Sequence, residues 1–208
     1  MLTNFYITFL GLLTFSNIFS NQEQELRQNF ILKLHEIGAI KFGKFTLKSG
    51  IESSYYIDLR LIISYPKMLK QAANLISQKI KSLDFDVICP VPYGAIPVAT
   101  ATSILTEKPL VMHRKEQKDH GTKKLVEGTF KNGDSCLVIE DVVTSGTSIL
   151  ESIKILEKEF KIKHIAFLID REQGGKQRLE NLGYNVVSIF SINEIIQVLT
   201  KFNKIDTN

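Results

Sequence analysis

The sequence has no tryptophan, only two cysteines and five prolines among 208 residues, and no repeated or low-complexity segment. Without repeats or biased tracts, it cannot be a coiled coil, a solenoid or a disordered scaffold. Cys89 and Cys136 each lie in an apolar run, so we expect two buried free thiols rather than a disulfide framework or a metal site. The net charge of only +4 argues against a surface that coats nucleic acid. We therefore expect one domain with one core, and any bound anion should be small.

The first twenty residues carry no charged side chain. Their apolar stretch is shorter than the roughly 18 to 20 residues that span a bilayer, which leaves a secretory signal, a hydrophobic arm or a misassigned gene start. No Lys or Arg precedes the apolar part, and this weakens the secretory interpretation. We predict an extension at residues 1–20, a domain over residues 21–208, and a cytoplasmic protein that contacts no membrane. An exported binding protein is the alternative, and it depends wholly on residues 1–20.

Helical and strand patterns alternate along the rest of the chain. An amphipathic helix should end at Gly38, and a second helix should begin at Pro66. Between them, β-rich runs at 42–47 and 55–59 flank a turn at 48–50. These runs predict a small antiparallel hood beside the main sheet.

The second half of the chain predicts a parallel sheet. Short apolar runs, typical of strands buried on both faces, occur at residues 86–89, 110–112, 136–139, 164–169 and 186–190. Helical patterns separate several of them, at residues 95–105, 149–158, 176–182 and 192–199. The fold class is therefore α/β, with a mainly parallel central sheet flanked by helices. Ligands should bind at the carboxyl ends of its strands.

The strand at 136–139 precedes two acids, Glu140 and Asp141, and then a hydroxyl-rich turn that leads into a helix. Hydroxyls, a close backbone approach at Gly146 and free N–H groups at the helix start all favour a phosphate. No Lys follows the glycine, so the turn is not a Walker A loop. The acids could accept hydrogen bonds from ribose hydroxyls or hold water on Mg²⁺. The pattern predicts a ribose 5-phosphate site; an ordinary helix N-cap is the alternative.

This segment resembles the 5-phosphoribosyl-diphosphate (PRPP) motif of the type I phosphoribosyltransferases, in which four apolar residues and two acids precede a loop rich in threonine and glycine. The resemblance implies the type I phosphoribosyltransferase fold and a requirement for Mg²⁺, which PRPP would carry without direct protein ligands. Glu140 departs from the Asp of many members; it keeps the charge and lengthens the reach. The PRPP contacts implied in this segment are Glu140, Asp141, Val142, Val143, Thr144, Ser145, Gly146, Thr147 and Ser148.

Residues 113–124 contain five strong bases, two acids and two histidines without apolar periodicity, which predicts a mobile loop. Alone, such a stretch is usually a solvated charged surface. Near a PRPP site, its cations could neutralise pyrophosphate and exclude water on closing. The segment is similar to the catalytic loop of orotate phosphoribosyltransferases, which reaches into the neighbouring subunit's site and so implies a homodimer. By this resemblance, PRPP is contacted by Arg114, Lys115, Lys118 and His120, of which the last three are catalytic together with Asp141.

Three further stretches carry the same resemblance, at residues 42–50, 55–60 and 170–175. They imply that orotate is bound by Lys48, Tyr56, Ile57, Arg171 and also Thr144, which would touch both substrates. A planar anionic base suits a cation and an aromatic wall. Taken alone, Lys48 could be a turn residue, Tyr56 a packing residue and Arg171 the partner of Glu172.

The turn at residues 90–97 matches the family's pyrophosphate-binding turn and implies PRPP contacts from Tyr93 and Gly94. Many bacterial members have Lys where Gly94 stands, so backbone N–H groups must bind instead. This turn and residues 55–60 look more like the first half of eukaryotic UMP synthases. Because the chain ends at Asn208, we expect no decarboxylase domain.

The resemblance implies an orotate phosphoribosyltransferase, which converts orotate and PRPP into orotidine 5′-monophosphate and pyrophosphate in UMP biosynthesis. One alternative is a phosphoribosyltransferase for another base, against which Lys48 and Arg171 argue. A second alternative is a non-catalytic PRPP-sensing module, which would not need the basic segment from Arg114 to His120. We expect no nucleic-acid partner.

Overall fold

The computed structural model describes residues 21–46, 52–114 and 125–206. The strands are β1 (Ile40–Thr46), β2 (Glu52–Ile57), β3 (Val87–Pro90), β4 (Met112–His113), β5 (Val126–Glu127), β6 (Ser135–Val143), β7 (Lys161–Asp170) and β8 (Asn185–Ser191). The helices are α1 (residues 21–36), α2 (Pro66–Ile80), α3 (Ile96–Thr106), α4 (Thr147–Leu156), α5 (Gly175–Asn181) and α6 (Ile192–Lys201), with a 3₁₀ helix at Leu59–Ser64 between β2 and α2.

The central sheet has four parallel strands in the order β3-β6-β7-β8, which confirms the predicted α/β class. All four residues of β3 are buried, as are the last six of β7, because helices cover both faces. On one face, α2, α3 and α6 pack with α1 around residues such as Phe30 and Leu168. On the other, α4 and α5 bury Ile153 and Leu179. This arrangement presents the carboxyl ends of the strands along one edge.

The predicted hood is confirmed as the antiparallel pair β1–β2. Tyr55 is buried while its neighbours are more exposed, as strand alternation requires. The second strand begins and ends earlier than the predicted run at residues 55–59. It ends at Ile57 because Leu59 begins the 3₁₀ helix, which the Asp58 carboxylate caps by accepting from the Arg60 N–H at 3.1 Å. The predicted turn at residues 48–50 lies outside the described residues.

The prediction for residues 110–112 was wrong in part. Leu110 forms only an isolated parallel bridge with Ile88, and Met112 belongs instead to β4, which pairs antiparallel with β5. The Ile88 N–H donates to the Pro109 carbonyl and the Val111 N–H donates to the Ile88 carbonyl, both at 2.9 Å. After Val111 the chain no longer pairs with β3 and instead pairs with β5. The apolar run at residues 110–112 therefore forms a single bridge at the edge of the central sheet rather than a full strand.

Both cysteines are buried and free, as the sequence predicted. A hydrogen bond with Cys89, together with burial, holds the pKa of the Cys136 thiol well above its usual value. Among the helices of the described part, none has the length and apolar content to cross a membrane.

Candidate active site

The acid pair lies inside β6, near its carboxyl end, rather than after the strand. Glu140 is buried, and its Oε1 accepts a hydrogen bond from the Asp141 N–H at 3.0 Å. Asp141 is half-buried, and its Oδ1 accepts from the Val142 N–H at 2.9 Å. Each carboxylate thus accepts from the backbone N–H of the next residue, which fixes its orientation, and the Asp141 carboxylate can accept further hydrogen bonds from a ligand.

The phosphate loop, residues 144–148, joins β6 to α4. It lines a small pocket together with Glu140, Val142, Val143 and Ile149. Gly146 precedes α4 with φ 74°, and no side chain caps the first N–H groups of this helix. Uncapped N–H groups at a helix start attract anions. The predicted loop residues are therefore brought together around a site suited to a phosphate.

A close backbone approach supports the phosphate loop from behind. The Gly175 N–H donates to the Thr144 carbonyl at 3.0 Å. A Cβ at position 175 would lie 2.5 Å from that carbonyl oxygen and 2.9 Å from the Gly146 nitrogen. Position 175 therefore accepts only glycine without displacing the loop. Gly175 belongs to the stretch at residues 170–175 that carries the family resemblance, but its local sequence predicts no function for it.

Gly94 lies directly against the acid pair. A Cβ at this position would be 2.8 Å from the Asp141 carboxyl carbon and would collide with Oδ2. Any side chain here, including the lysine of many bacterial relatives, requires Asp141 to adopt another position. The absence of that lysine in this chain therefore fits the observed contact between the two residues.

Tyr93 and Arg114 line a second pocket of about 630 Å³ beside β4 and β5. Tyr93 is 71% exposed. The guanidinium of Arg114 forms an ion pair with Glu127, whose Oε1 lies 2.7 Å from Nη2. Both partners are partly exposed, so the pair is weak enough for a stronger anion to compete with Glu127.

Arg171 follows β7 and is 9% exposed. Its backbone N–H donates to the Val143 carbonyl at 3.0 Å, so it lies at the same sheet edge as the phosphate loop. The guanidinium lies 4.8 Å from the centre of the Tyr55 ring and donates to Ser53 Oγ at 3.3 Å. Its Nε is buried with no hydrogen-bond partner among the described residues. Arg171 therefore does not pair with Glu172, and it retains a donor for a ligand.

Sequence reasoning missed Tyr55, which contacts Arg171 at both its side chain and its backbone. The Tyr55 ring packs on the guanidinium, and the Tyr55 hydroxyl donates to the Arg171 carbonyl at 3.3 Å. The predicted residue, Tyr56, lies on the opposite face of β2 and packs against Phe45 with ring centres 5.8 Å apart. Ile57 is half-buried at the end of β2. The alternation of strand faces could have separated the two tyrosines.

Arg60 was also missed. Its guanidinium binds both oxygens of Asp58 at 2.7 Å, and this contact lowers the pKa of the Asp58 carboxyl. The pKa of Arg60 is raised, first by Asp58 and also by the charges of Tyr56 and Asp141. Tyr56 and Asp141 therefore lie within electrostatic range of the same cation.

Four predicted residues, Lys48, Lys115, Lys118 and His120, lie outside the described residues. The two ends of the predicted catalytic loop are described, however: His113 and Arg114 on one side, Leu125 and Val126 on the other. The Arg114 N–H donates to the Leu125 carbonyl at 2.9 Å. This contact closes the base of the loop beside Tyr93.

Mg²⁺ fits this site only with additional ligands from the substrate. Within residues 21–46, 52–114 and 125–206, no group of three or more His, Cys, Asp or Glu side chains could hold a metal ion. The Asp141 carboxylate could bind the ion directly or through water. Mg²⁺ commonly binds through one or two carboxylates together with phosphates and water, so a phosphate-bearing ligand could complete its shell.

Comparisons with known proteins agree with this geometry. Residues 62–201 match the phosphoribosyl transferase domain family. The chain is 42% identical over 181 residues to uridine 5′-monophosphate synthase of Bos taurus. This alignment covers 86% of this chain but only 38% of the bovine protein. It is 39% identical to orotate phosphoribosyltransferase of Pyrococcus furiosus, with 83% of this chain and 96% of that protein aligned.

A solved structure has the same fold. Orotate phosphoribosyltransferase from Aeropyrum pernix superposes with a TM-score of 0.72 at 30% identity, covering 85% of this chain and 99% of that one. The chain thus spans well under half of the bovine synthase but nearly all of the two archaeal proteins. These matches, together with the acid pair and phosphate loop at the end of β6, establish that the chain belongs to the phosphoribosyltransferase domain family, as a member of its orotate phosphoribosyltransferases.

Proposed function

We propose that this protein transfers the 5-phosphoribosyl group of PRPP to orotate, giving orotidine 5′-monophosphate and pyrophosphate in UMP biosynthesis. One observation carries the proposal: the hydrogen bond between the Arg171 N–H and the Val143 carbonyl joins the two halves of the site. A cation suited to an anionic base thereby lies at the same sheet edge as a loop suited to a ribose phosphate. The Pyrococcus furiosus relative, which is named for this activity, supports the assignment.

The reaction requires the C1′–O bond to pyrophosphate to break as the C1′–N bond to orotate forms. Positive charge develops on the ribose, and negative charge grows on the leaving pyrophosphate. The protein's main tasks are therefore to hold the base in line and to stabilise the departing charge. The phosphate loop, from Thr144 to Ser148, would bind the 5′-phosphate. Asp141 would accept hydrogen bonds from the ribose hydroxyls, with the buried Glu140 fixing its backbone.

The base would lie between the hood and the end of β7. Arg171, backed by Tyr55 and Ser53, would donate to the orotate carboxylate or a ring oxygen, and Lys48 would add a second cation. Tyr56 and Ile57 would border the ring from β2, and Thr144 would contact both substrates. Orotate is already an anion at neutral pH through its carboxylate. The proton on the attacking ring nitrogen would leave as the C1′–N bond forms and pass to the departing pyrophosphate, whose negative charge grows, so this arrangement needs no strong general base.

The leaving group would be stabilised from the other side. Tyr93 and Gly94 would contact pyrophosphate through the turn after β3, and Arg114 would exchange Glu127 for it. Lys115, Lys118 and His120 would complete the site on closure and exclude water. Glu140 and Asp141 would help to hold Mg²⁺ through water, and the ion would supply further neutralisation of the leaving group.

The test is an assay of the purified full-length chain with PRPP and each of four bases: orotate, uracil, hypoxanthine and adenine. We expect Mg²⁺-dependent release of pyrophosphate when the base is orotate, and no release with the other three bases. Release with a different base would move the assignment to another phosphoribosyltransferase, and PRPP binding without release in any mixture would favour a sensor.

We further propose a homodimer in which the catalytic loop of one subunit completes the site of the other. Lys118→Ala and Asp141→Asn subunits, each inactive alone, should then recover part of the activity when mixed, since a hybrid dimer contains one intact site. Failure to recover activity despite demonstrated subunit exchange would contradict the shared site.

The same proposal covers the organisation of the chain. We infer that residues 21–208 form the catalytic domain, that residues 1–20 are an extension, and that the enzyme works in the cytoplasm. The match of the family to residues 62–201 and the continuous core from α1 to α6 support the domain limits. Sequencing the mature N-terminus after cell fractionation tests this; removal of residues 1–20 and export would contradict it.

A further inference from the structure

Arg178 contacts the phosphate loop from outside the sequence motif that defines that loop. Its Nη1 donates to the Ser145 carbonyl at 3.2 Å and to Thr147 Oγ1 at 3.4 Å. The first contact joins residues 33 positions apart. Arg178 is carried by α5, whose first residue, Gly175, packs against the loop backbone. The loop is therefore fixed by α5 in two ways, one through the backbone and one through a cation.

The direction of these hydrogen bonds constrains the Thr147 hydroxyl. A guanidinium can only donate, so Thr147 Oγ1 must accept from Arg178. The hydroxyl proton of Thr147 then remains free for a different acceptor. Ser145 Oγ lies 3.0 Å away and could take it. A phosphate in the pocket would be the stronger acceptor, because hydrogen bonds to a charged group are shorter and stronger than those between neutral groups.

We propose that Arg178 is a positioning residue for the 5′-phosphate of PRPP: it holds the turn from Ser145 to Thr147 and leaves the Thr147 hydroxyl as a donor to that phosphate. This inference rests on the proposed function and assigns a side chain outside the known motif to substrate binding. Because Arg178 acts at the phosphate end through Thr147, its loss should weaken PRPP binding and leave the chemical step unchanged.

The primary experiment compares Arg178→Gln with Lys176→Gln by steady-state kinetics. Lys176 is a matched control because it lies on the same helix and its removal deletes the same charge, but its Nζ lies near Glu180 and Ser188 rather than the loop. For Arg178→Gln we expect a rise of about 2- to 10-fold in KM for PRPP, the scale of one net intramolecular hydrogen bond, with kcat and KM for orotate unchanged. Arg178→Lys should restore part of the loss, and Lys176→Gln should match the wild type.

Two further measurements separate positioning from a structural role. Calorimetry should show weaker binding of ribose 5-phosphate by Arg178→Gln but unchanged binding of pyrophosphate. In a Thr147→Val background, Arg178→Gln should add little, because the two residues act as one unit. Equal loss of both ligands, or additive effects in the double variant, would overturn the inference.

The design also distinguishes this inference from the proposed function. If the wild type binds ribose 5-phosphate and Arg178→Gln binds it equally well, Arg178 has no positioning role, although the proposed function stands. If the wild type binds neither ribose 5-phosphate nor PRPP, both are contradicted.

Discussion

The phosphate loop and the base-binding side of the site are held in different ways. Backbone contacts predominate at the loop, where Arg178 adds a side-chain contact: the Gly175 N–H donates to the Thr144 carbonyl, and α4 begins directly after Gly146. On the base-binding side, contacts between side chains predominate, with Arg171 resting on Tyr55 and bonded to Ser53. The first arrangement suits a phosphate common to many substrates. Side-chain contacts can be altered by single substitutions, so the base-binding side is the region that determines which base is accepted.

The largest expected effect is on the rate of the chemical step rather than on substrate binding in either region. Replacing Lys118 by Ala should lower turnover by about 10²- to 10³-fold, the scale for losing one preorganised donor to developing charge. Binding of orotate and thermal stability should change little. Steady-state kinetics and a thermal melt measure both quantities, and near-normal turnover would remove Lys118 from the mechanism.

The backbone-held region should be the more sensitive of the two to one added carbon atom. Gly175→Ala places a Cβ 2.5 Å from the Thr144 carbonyl oxygen, so the loop must move. We expect kcat/KM for PRPP to fall about 100-fold, since a displacement of about 1 Å in a segment that positions the substrate has an effect of that order. Gly174→Asn is the matched control: a Cβ at position 174 meets nothing within 4 Å, and Asn tolerates its positive φ. Equal losses in both variants would refute the role of close packing.

The side-chain-held region should respond in proportion to the contact removed. Arg171→Gln should raise KM for orotate about 10- to 100-fold, because a hydrogen-bonded cation is lost, while KM for PRPP stays unchanged. Tyr55→Phe keeps the ring beneath the guanidinium and removes only a 3.3 Å hydrogen bond, so we expect an increase of only several-fold. If Tyr55→Phe equalled Arg171→Gln, the hydroxyl rather than the cation would be the main determinant.

Asp170 lies between the two regions, paired in register with Val143, and its substitution should have the smallest effect. Burial raises the pKa of its carboxyl. Between the unfolded value and this higher folded value, the folded state binds more protons, so stability falls as pH rises through that window. Asp170→Asn keeps an oxygen that can accept from the Glu172 N–H and removes the buried charge. Its Tm should exceed that of the wild type at pH 7, and the difference should shrink as pH falls below the folded pKa. A difference independent of pH would contradict this account.

The two regions also differ in how far the sequence predicted them. The phosphate loop is local, since a strand, two acids, a hydroxyl-rich turn and a helix follow one another in the chain, and the structure brings them together as expected. The limits of β6 were too short, because Glu140 and Asp141 read as polar residues beyond an apolar run although they continue the strand.

The contacts that were missed are long-range. Arg178 meets the loop across 33 positions and Tyr55 meets Arg171 across 116, and no local pattern encodes either contact. The prediction of a central strand at residues 110–112 was wrong in part for a related reason. An apolar triplet does not reveal whether its partner is the edge of the central sheet or, as for Met112, the short β5 strand.

The central claim is that a ribose phosphate binds at the end of β6 with an anionic base beside it at the end of β7. Calorimetric titration of the full-length protein with PRPP and Mg²⁺, before and after saturation with orotidine 5′-monophosphate, tests this most directly. We predict clear binding of PRPP to the free protein and its loss once the nucleotide occupies both halves of the site. Folded protein that gives no heat with PRPP, or that binds PRPP equally well in the presence of saturating nucleotide, would contradict the account.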